Sequence, residues 1–493
     1  MALPERQDGK TEPLAMELAV SLASRAQACC SALQTALPHL VILGNHPQYE
    51  AEKYVPWSQT CWLPATCFVR PTTPQDVAEA LKIIQQTGSK FAIRCGGHNP
   101  NQFFSSINDS GILIDVSELK TLSLGADGVL QMGAGNRWGD VYTYLEKHGL
   151  SPIGGRQNDV GVSGYLLGGG MPAFLALHGF AADQVQNFEV VLADGTIINA
   201  NAKENSELWQ ALKGGGPNFG IVTRFDIQTY PTIKAQYTVN TYDPSDYVNI
   251  MNATADLQEA MESDPKLGAF VYINPTFIAV GLFYAEWVEE RPKAFNTFFN
   301  LKSLVAVAVP TTNGTMKDLV AAVGAGANDP PLRRQYASQS SKVSVDLYIK
   351  VYEVYQEIVQ KYGEATNLSY SLQPAPTAAI KLGQSRGGNI MGLEEVPQTW
   401  WAFVSQWDSP TNDTRAQQAI DELYQGMQKV SREQEQWLDF VFMNEGKGTQ
   451  DVLGSYGEAN VQKMQKVQSK HDPEKVFQNL QNDGYLLRKV RQF

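Results

Sequence analysis

Residues 91–99 read Phe-Ala-Ile-Arg-Cys-Gly-Gly-His-Asn, an apolar run broken by two glycines and followed at once by a histidine. The run 91–94 predicts a short buried strand, and Gly96-Gly97 turns the chain where backbone can approach a ligand closely. Two more glycine-dense stretches lie downstream, GGRQNDVGVSGYLLGGG at 154–170 and KGGGPNFG at 213–220. Glycines repeated after strand-like runs let backbone N–H groups wrap a phosphate or a flat ring. Singly, each stretch is a tight turn over a core and His98 a hydrogen-bonded turn residue. Together, the three describe a cradle for a cofactor.

Outward from this stretch the chain falls into two textures. Thr73-Pro74-Gln75-Asp76 starts a helix, with Thr73 as N-cap and proline at the first helical position. Val77, Leu81 and Ile84 recur at helical spacing and Gly88 stops the run, so a βαβ-like unit delivers the His98 loop to a sheet edge. An amphipathic helix is expected at 14–36 and another at 138–150, closed by Gly149. Asp194-Gly195 closes a hairpin between 190–192 and 196–198. A short helix at 208–213 and a strand from 221 bring the first domain to its end near Pro231. From 235 to 438, strand-like runs at 268–273, 277–284 and 400–407 alternate with helices at 245–262, 344–361 and 411–430. That pattern predicts an antiparallel sheet with helices on one face, an α+β fold. Trp400 and Trp401 fall on opposite faces of their strand, which leaves one for the core and the other for either core or pocket.

At 493 residues the chain is too long for one core. A formal charge of −12 and the absence of a Lys/Arg run argue against nucleic acid and anionic membranes as partners. No apolar run reaches the ~20 residues of a membrane-spanning helix. Residues 1–13 are polar, and Glu17 interrupts the apolar segment after them, so the start reads as one without a secretory signal. The five cysteines (Cys29, Cys30, Cys61, Cys67, Cys95) are odd in number and confined to the first hundred residues, which is not a disulfide scaffold. The histidines other than His98 show no metal-ligand spacing, so no metal site is expected.

Five motifs in order carry a resemblance: Arg-Cys-Gly-Gly-His (94–98), Ile-Leu-Ile-Asp-Val-Ser (112–117), Gly-Ala-Gly-Asn-Arg-Trp-Gly-Asp-Val-Tyr (133–142), Val-Gly-Val-Ser-Gly-Tyr-Leu-Leu-Gly-Gly-Gly (160–170) and Phe-Glu-Val-Val-Leu-Ala-Asp-Gly (188–195). Together they resemble the berberine-bridge-enzyme-like FAD-linked oxidases of the vanillyl-alcohol-oxidase and p-cresol-methylhydroxylase superfamily. The likeness covers residues 60–233 and 440–487, and Tyr54-Val55-Pro56-Trp57-Ser58 matches the family's lead-in. It implies a two-part FAD-binding domain over 1–234, a substrate domain over 235–438 whose sheet roofs the isoalloxazine ring, and a segment, 439–493, that packs back on the FAD domain. Secreted relatives tie an N-terminal helix cysteine to one like Cys67, which implies a Cys30–Cys67 or Cys29–Cys67 bridge. The family points to secretion while the missing signal points inside the cell. Asn-x-Ser/Thr sequons at 108, 252, 313, 367 and 412 do not settle the compartment, and the balance favours the interior.

The resemblance implies one FAD joined covalently to His98. Further cofactor contacts fall on Arg94, Cys95, Gly96, Gly97 and Asn99 in the first stretch, and on Ile221 and Asn444 later. The second stretch would contribute Gln157, Val160, Gly161, Val162, Gly164, Tyr165, Gly168 and Gly169. Gln157 stands where bicovalent relatives carry a cysteine, so a second covalent bond is not expected. Relatives read Tyr-x-Asn-Tyr near the end, and the second tyrosine serves as catalytic base. This chain has Phe442-Met443-Asn444-Glu445. Glu445 is then either the catalytic group or an exposed acid in a polar loop. The implied activity is oxidation of a small specialised metabolite, with hydride passing to flavin N5 and dioxygen returning as peroxide. The alternative is a non-redox isomerase or cyclase with FAD structural and Glu445 as general acid or base. A binding module without turnover is a third reading, opposed by the intact glycine motifs.

Overall fold

The computed structural model describes residues 11–324 and 331–491. Its first sheet runs Val41–Leu43, Cys67–Val69, Gly111–Asp115, Lys90–Arg94, the last three parallel to one another. Parallel neighbours need a crossover, and helix Pro74–Thr87 supplies one. Thr73 and Asp76 form a reciprocal capping box at its start, and Gly88 ends it at φ 63°. Val77, Leu81 and Ile84 are fully buried beneath it. Strand Gly111–Asp115 is inserted between the two strands that the helix connects.

The second sheet is antiparallel throughout, in the order Leu122–Leu124, Val129–Gly133, Ile221–Gln228, Val185–Val191, Ile197–Asn201. The helix expected at 138–150 is shorter, Trp138–Glu146. Gly149 takes a left-handed φ of 67° and the chain enters a two-residue strand at Leu150, so the glycine ends a turn beyond the helix.

The third sheet has eight antiparallel strands, in the order Leu304–Thr315, Lys234–Tyr242, Ile278–Tyr284, Leu267–Ile273, Ser369–Ala375, Gln398–Trp407, Arg333–Lys342, Trp437–Leu438. Helices Tyr247–Met261, Val345–Tyr362 and Asp413–Glu433 join one core with it, through Tyr348, Trp401, Phe403 and Leu423 among others. Strand alternation sends Tyr370, Leu372, Trp401 and Phe403 into that core. Ser369, Ser371, Gln373, Ala402, Val404 and Gln406 point the other way, into a cavity. Trp400 and Trp401 do face opposite sides, but neither reaches the cavity. Trp400 stacks on Phe180 at 5.3 Å and meets Phe440 and Phe442, while Trp401 packs on Tyr348 and Tyr370.

After this sheet the chain returns to the first one. Phe91 donates its N–H to Leu480 O at 3.1 Å and accepts from Asn482 N at 2.7 Å. A Cys30–Cys67 disulfide pins helix Thr11–Ala36 to the first sheet, leaving Cys29, Cys61 and Cys95 free. No helix among the described residues is long and apolar enough to cross a membrane.

Arg94, expected against the cofactor, does not line the cavity. It is 2% exposed. Its Nε donates to Asp115 Oδ2 at 2.5 Å, and its two terminal nitrogens to the Glu52 backbone and carboxylate at 2.7 and 2.6 Å. A guanidinium so deeply buried needs carboxylate partners, and these two draw it away from the loop. Arg94→Ala would strand the Asp115 carboxylate in the interior, leaving Glu52 its pairing with Arg70 at 3.2 Å, and should destabilise the fold by about 3–5 kcal/mol in denaturant unfolding. A protein of unchanged stability that loses only its flavin would show that Arg94 serves the cofactor.

Candidate active site

The cavity, of about 720 Å³, lies between the glycine stretches and the open face of the eight-stranded sheet. It is built on a close approach of two main chains. A Cβ on Gly96 would sit 2.5 Å from Gly161 N, and one on Gly161 would sit 2.5 Å from Gly96 N. Only glycine fits at either position. Arg137 holds the pair by donating to Gly96 O at 3.1 Å. Gly97 turns at φ 69° and hands the chain to His98.

The His98 ring lies flat on Trp57, with centroids 4.4 Å apart and planes 14° apart. Its Nε2 is 3.7 Å from Asp159 Oδ2. Burial pulls the imidazole pKa down to about 4; Asp159 opposes this, and the charges of Arg137 and Arg334 add to it. The ring is therefore neutral at physiological pH, with a nitrogen lone pair available.

Of the residues expected at a cofactor, 95–99 line the cavity, as do Gln157, Val160, Gly161, Gly164, Tyr165, Ile221 and Asn444. Three others, besides Arg94, do not. Val162 is fully buried at the start of helix Val162–Leu167. A Cβ on Gly168 would fall 2.2 Å from Asn444 Nδ2, and one on Gly169 would fall 2.6 Å from Met391 Sδ. On their Cβ side these two glycines admit the C-terminal segment and Met391. Asn444 bridges the same stretch, donating to Gly164 O at 2.9 Å and accepting from Gly170 N at 3.0 Å.

FAD fits what lines this space. Gly164 faces it with nothing within 4 Å of where a Cβ would stand, so the glycine leaves room for something other than protein. Ser105 Oγ, Gln481 Oε1 and Ser369 Oγ line the cavity buried and without a hydrogen-bond partner. Such orphans call for a polar ligand.

Glu445 lies on the turn Met443–Glu445 and lines the cavity. Gln373 Nε2 donates to its Oε2 at 2.7 Å, and Arg156 donates in turn to Gln373 Oε1. Burial raises the Glu445 pKa above the ordinary carboxylate value, while Arg156 and the Gln373 hydrogen bond pull it back. Tyr336 shares the cavity and tilts against Trp57 at 5.5 Å. Burial and then the Glu445 charge raise its pKa, so its phenol stays protonated. The site thus pairs an ionisable acceptor with a fixed donor. Sequence reading missed Tyr336 because strand Arg333–Lys342 carries no clear apolar alternation. It also missed Arg156 and Asp159, which stand inside the quoted glycine stretch, and Gln373, whose signal was the small-polar alternation Ser369, Ser371, Gln373.

Comparison with known proteins follows the same lines. Residues 65–201 match the family described as FAD binding domain. An FAD-dependent monooxygenase of Arthrobotrys oligospora is 35% identical over 439 residues, spanning 89% of this chain and 85% of its own. The carbohydrate oxidase of Microdochium nivale, solved with a substrate analogue, superposes with a TM-score of 0.78 at 20% identity, covering 94% of this chain and 100% of its own. Glucooligosaccharide oxidase from Acremonium strictum, described with a 6-S-cysteinyl, 8α-N1-histidyl FAD, superposes with a TM-score of 0.78 at 18% identity, covering 94% of this chain and 99% of its own. On the strength of the sequence relative, the chain belongs to the same family as the fungal FAD-dependent monooxygenases, an FAD-linked oxidoreductase family, and it shares the fold of the flavin oxidases superposed on it.

Proposed function

We propose that the protein is an FAD-dependent oxidase of a small specialised metabolite, with the cofactor held covalently by His98 and Glu445 acting as base. The observation that carries this reading is a half-buried carboxylate, hydrogen-bonded by Gln373, facing the same cavity as His98. FAD bound there would supply hydride acceptance at N5 and reoxidation by dioxygen to peroxide. The glycine stretches and His98 would hold the cofactor, His98 by a covalent bond that leaves Gln157 uninvolved. Glu445 takes the proton of a substrate hydroxyl or acidic C–H. Tyr336 donates a hydrogen bond to the substrate oxygen, and the sheet face with Phe270 and Tyr272 keeps water out.

The raised pKa of Glu445 also favours a second reading, a non-redox isomerase or cyclase in which the same group delivers a proton. Anaerobic mixing with a candidate substrate separates the two, because only the oxidase bleaches the flavin and then forms peroxide in air.

Denatured wild-type protein should stay yellow after acid precipitation, with the flavin on a peptide containing His98. His98→Ala should release it; freely extractable flavin in the wild type would refute the linkage. Gly164→Val should fold, since an added Cβ meets open space, yet lower FAD content by intruding on the cofactor, and full FAD content in that variant would count against the cradle.

For Glu445 the sign is set by its role. A base works ionised, so turnover falls as pH drops through its raised pKa, and this acid limb should lie above the ~4.3 of an ordinary glutamate. Arg156→Gln and Gln373→Leu each remove a stabiliser of the anion and should move the limb to higher pH. Glu445→Gln should abolish the limb and cut turnover roughly 10²- to 10⁴-fold with FAD content unchanged. Near-wild-type turnover of that variant would remove Glu445 from the chemistry.

A further inference from the structure

A stack of three side chains from three parts of the chain ends on His98. The Arg334 guanidinium lies 4.2 Å over the Trp57 ring, which also stacks on the His98 ring at 4.4 Å and 14°. Arg334 is 2% exposed and fixed from several sides. Its Nε donates to Gln406 Oε1 at 2.9 Å, one terminal nitrogen donates to Trp57 O at 2.5 Å, and its backbone N–H donates to Ser58 Oγ at 2.8 Å. Trp57 N in turn donates to Gly97 O at 3.0 Å, so the tryptophan is bound to the His98 loop by main chain as well as by its ring.

We infer that Trp57 and Arg334 are positioning residues for covalent flavin attachment, fixing the plane of the His98 ring. The inference rests on the His98 linkage proposed above. Attachment breaks one imidazole N–H bond and one C–H bond of the isoalloxazine 8-methyl group and forms one C–N bond. Two electrons and two protons leave in the process, and dioxygen takes them as hydrogen peroxide. The imidazole proton departs by way of Asp159, whose Oδ2 is 3.7 Å from Nε2. The stack contributes geometry and charge. Rotation about χ angles of His98 is blocked on one face by Trp57, which leaves the other face and the ring edge for the cofactor. The charged and titratable groups around the ring are Asp159, Arg137, Arg334 and, beyond Trp57, the Tyr336 phenol. Burial depresses the His98 pKa first, Asp159 works against it, and Arg137 and Arg334 assist it, so loss of the Arg334 charge raises it.

The test uses the full chain produced in riboflavin-starved cells, given FAD, and followed by acid-precipitable flavin over time. Trp57→Ala should bind FAD yet attach it about tenfold to a hundredfold more slowly, the scale expected for a misplaced reacting group. Trp57→Phe should restore most of the rate. Arg334→Gln should shift the acid limb of the attachment rate to higher pH, and Arg334→Lys should return it; this shift is read whether or not Trp57→Ala folds. Attachment that is unchanged in rate and pH profile in Trp57→Ala and Arg334→Gln overturns the inference while leaving the linkage intact. A wild type whose flavin never becomes acid-precipitable overturns the linkage, and the inference with it.

Discussion

Two glycines in contact set the geometry of this molecule. Gly96 and Gly161 approach so closely that a methyl group on either would meet backbone at 2.5 Å. That approach joins the end of strand Lys90–Arg94 to the start of helix Val162–Leu167, and so joins the first sheet to the second. Everything on the cofactor side of the cavity is referred to it: His98 is two residues from one glycine, Asp159 two residues from the other. Their 3.7 Å approach is a consequence of the backbone contact, since neither side chain is long enough to find the other from a looser pair of loops.

The opposite wall depends on a different constraint, the two-residue period of a strand. The eight-stranded sheet must bury one face under three helices, and the aromatic residues Tyr370, Trp401 and Phe403 are committed there. The alternate positions are free of that demand and carry Ser369, Ser371, Gln373, Ala402 and Gln406. Small and polar side chains on this face leave a space instead of filling it. One sheet therefore does two jobs without conflict, because changing a pocket residue leaves the core register intact.

The parts of this design that were legible in the sequence are those written in local patterns. Thr73, Pro74 and Gly88 mark a helix through caps whose physics involves only neighbouring residues. The His98 loop and the glycine stretches were legible because φ freedom leaves its signature in composition. The helices expected at 245–262, 344–361 and 411–430 form at 247–261, 345–362 and 413–433. What was misread depended on partners distant in sequence. Arg94 stands inside the motif and was taken for a cofactor contact, but Glu52 and Asp115 claim it. Gly168 and Gly169 resemble cradle glycines, and nothing nearby shows that Asn444 and Met391 will press against them. Tyr336 and Arg334 lie on a strand with mixed polarity, where burial is decided by the strands on either side.

The electrostatics of the site are therefore a property of the assembled chain. Arg334 comes from the large sheet, Trp57 from the lead-in and His98 from the first sheet's loop. Arg156 comes from the second glycine stretch, Gln373 from the large sheet again, and Glu445 from the returning segment. Each of these two chains of contacts crosses the seam between the glycine loops and the sheet, and neither has a counterpart within a single element. A partly folded chain with the glycine loops formed would leave His98 solvated and free to protonate, and Glu445 an ordinary carboxylate. Burial is the largest influence on both groups, and it moves the two pKa values in opposite directions: it lowers that of His98 and raises that of Glu445. One act of closure thus sets the titration of a group on each wall, His98 on one and Glu445 on the other, and couples it to the docking of the sheet on the loops.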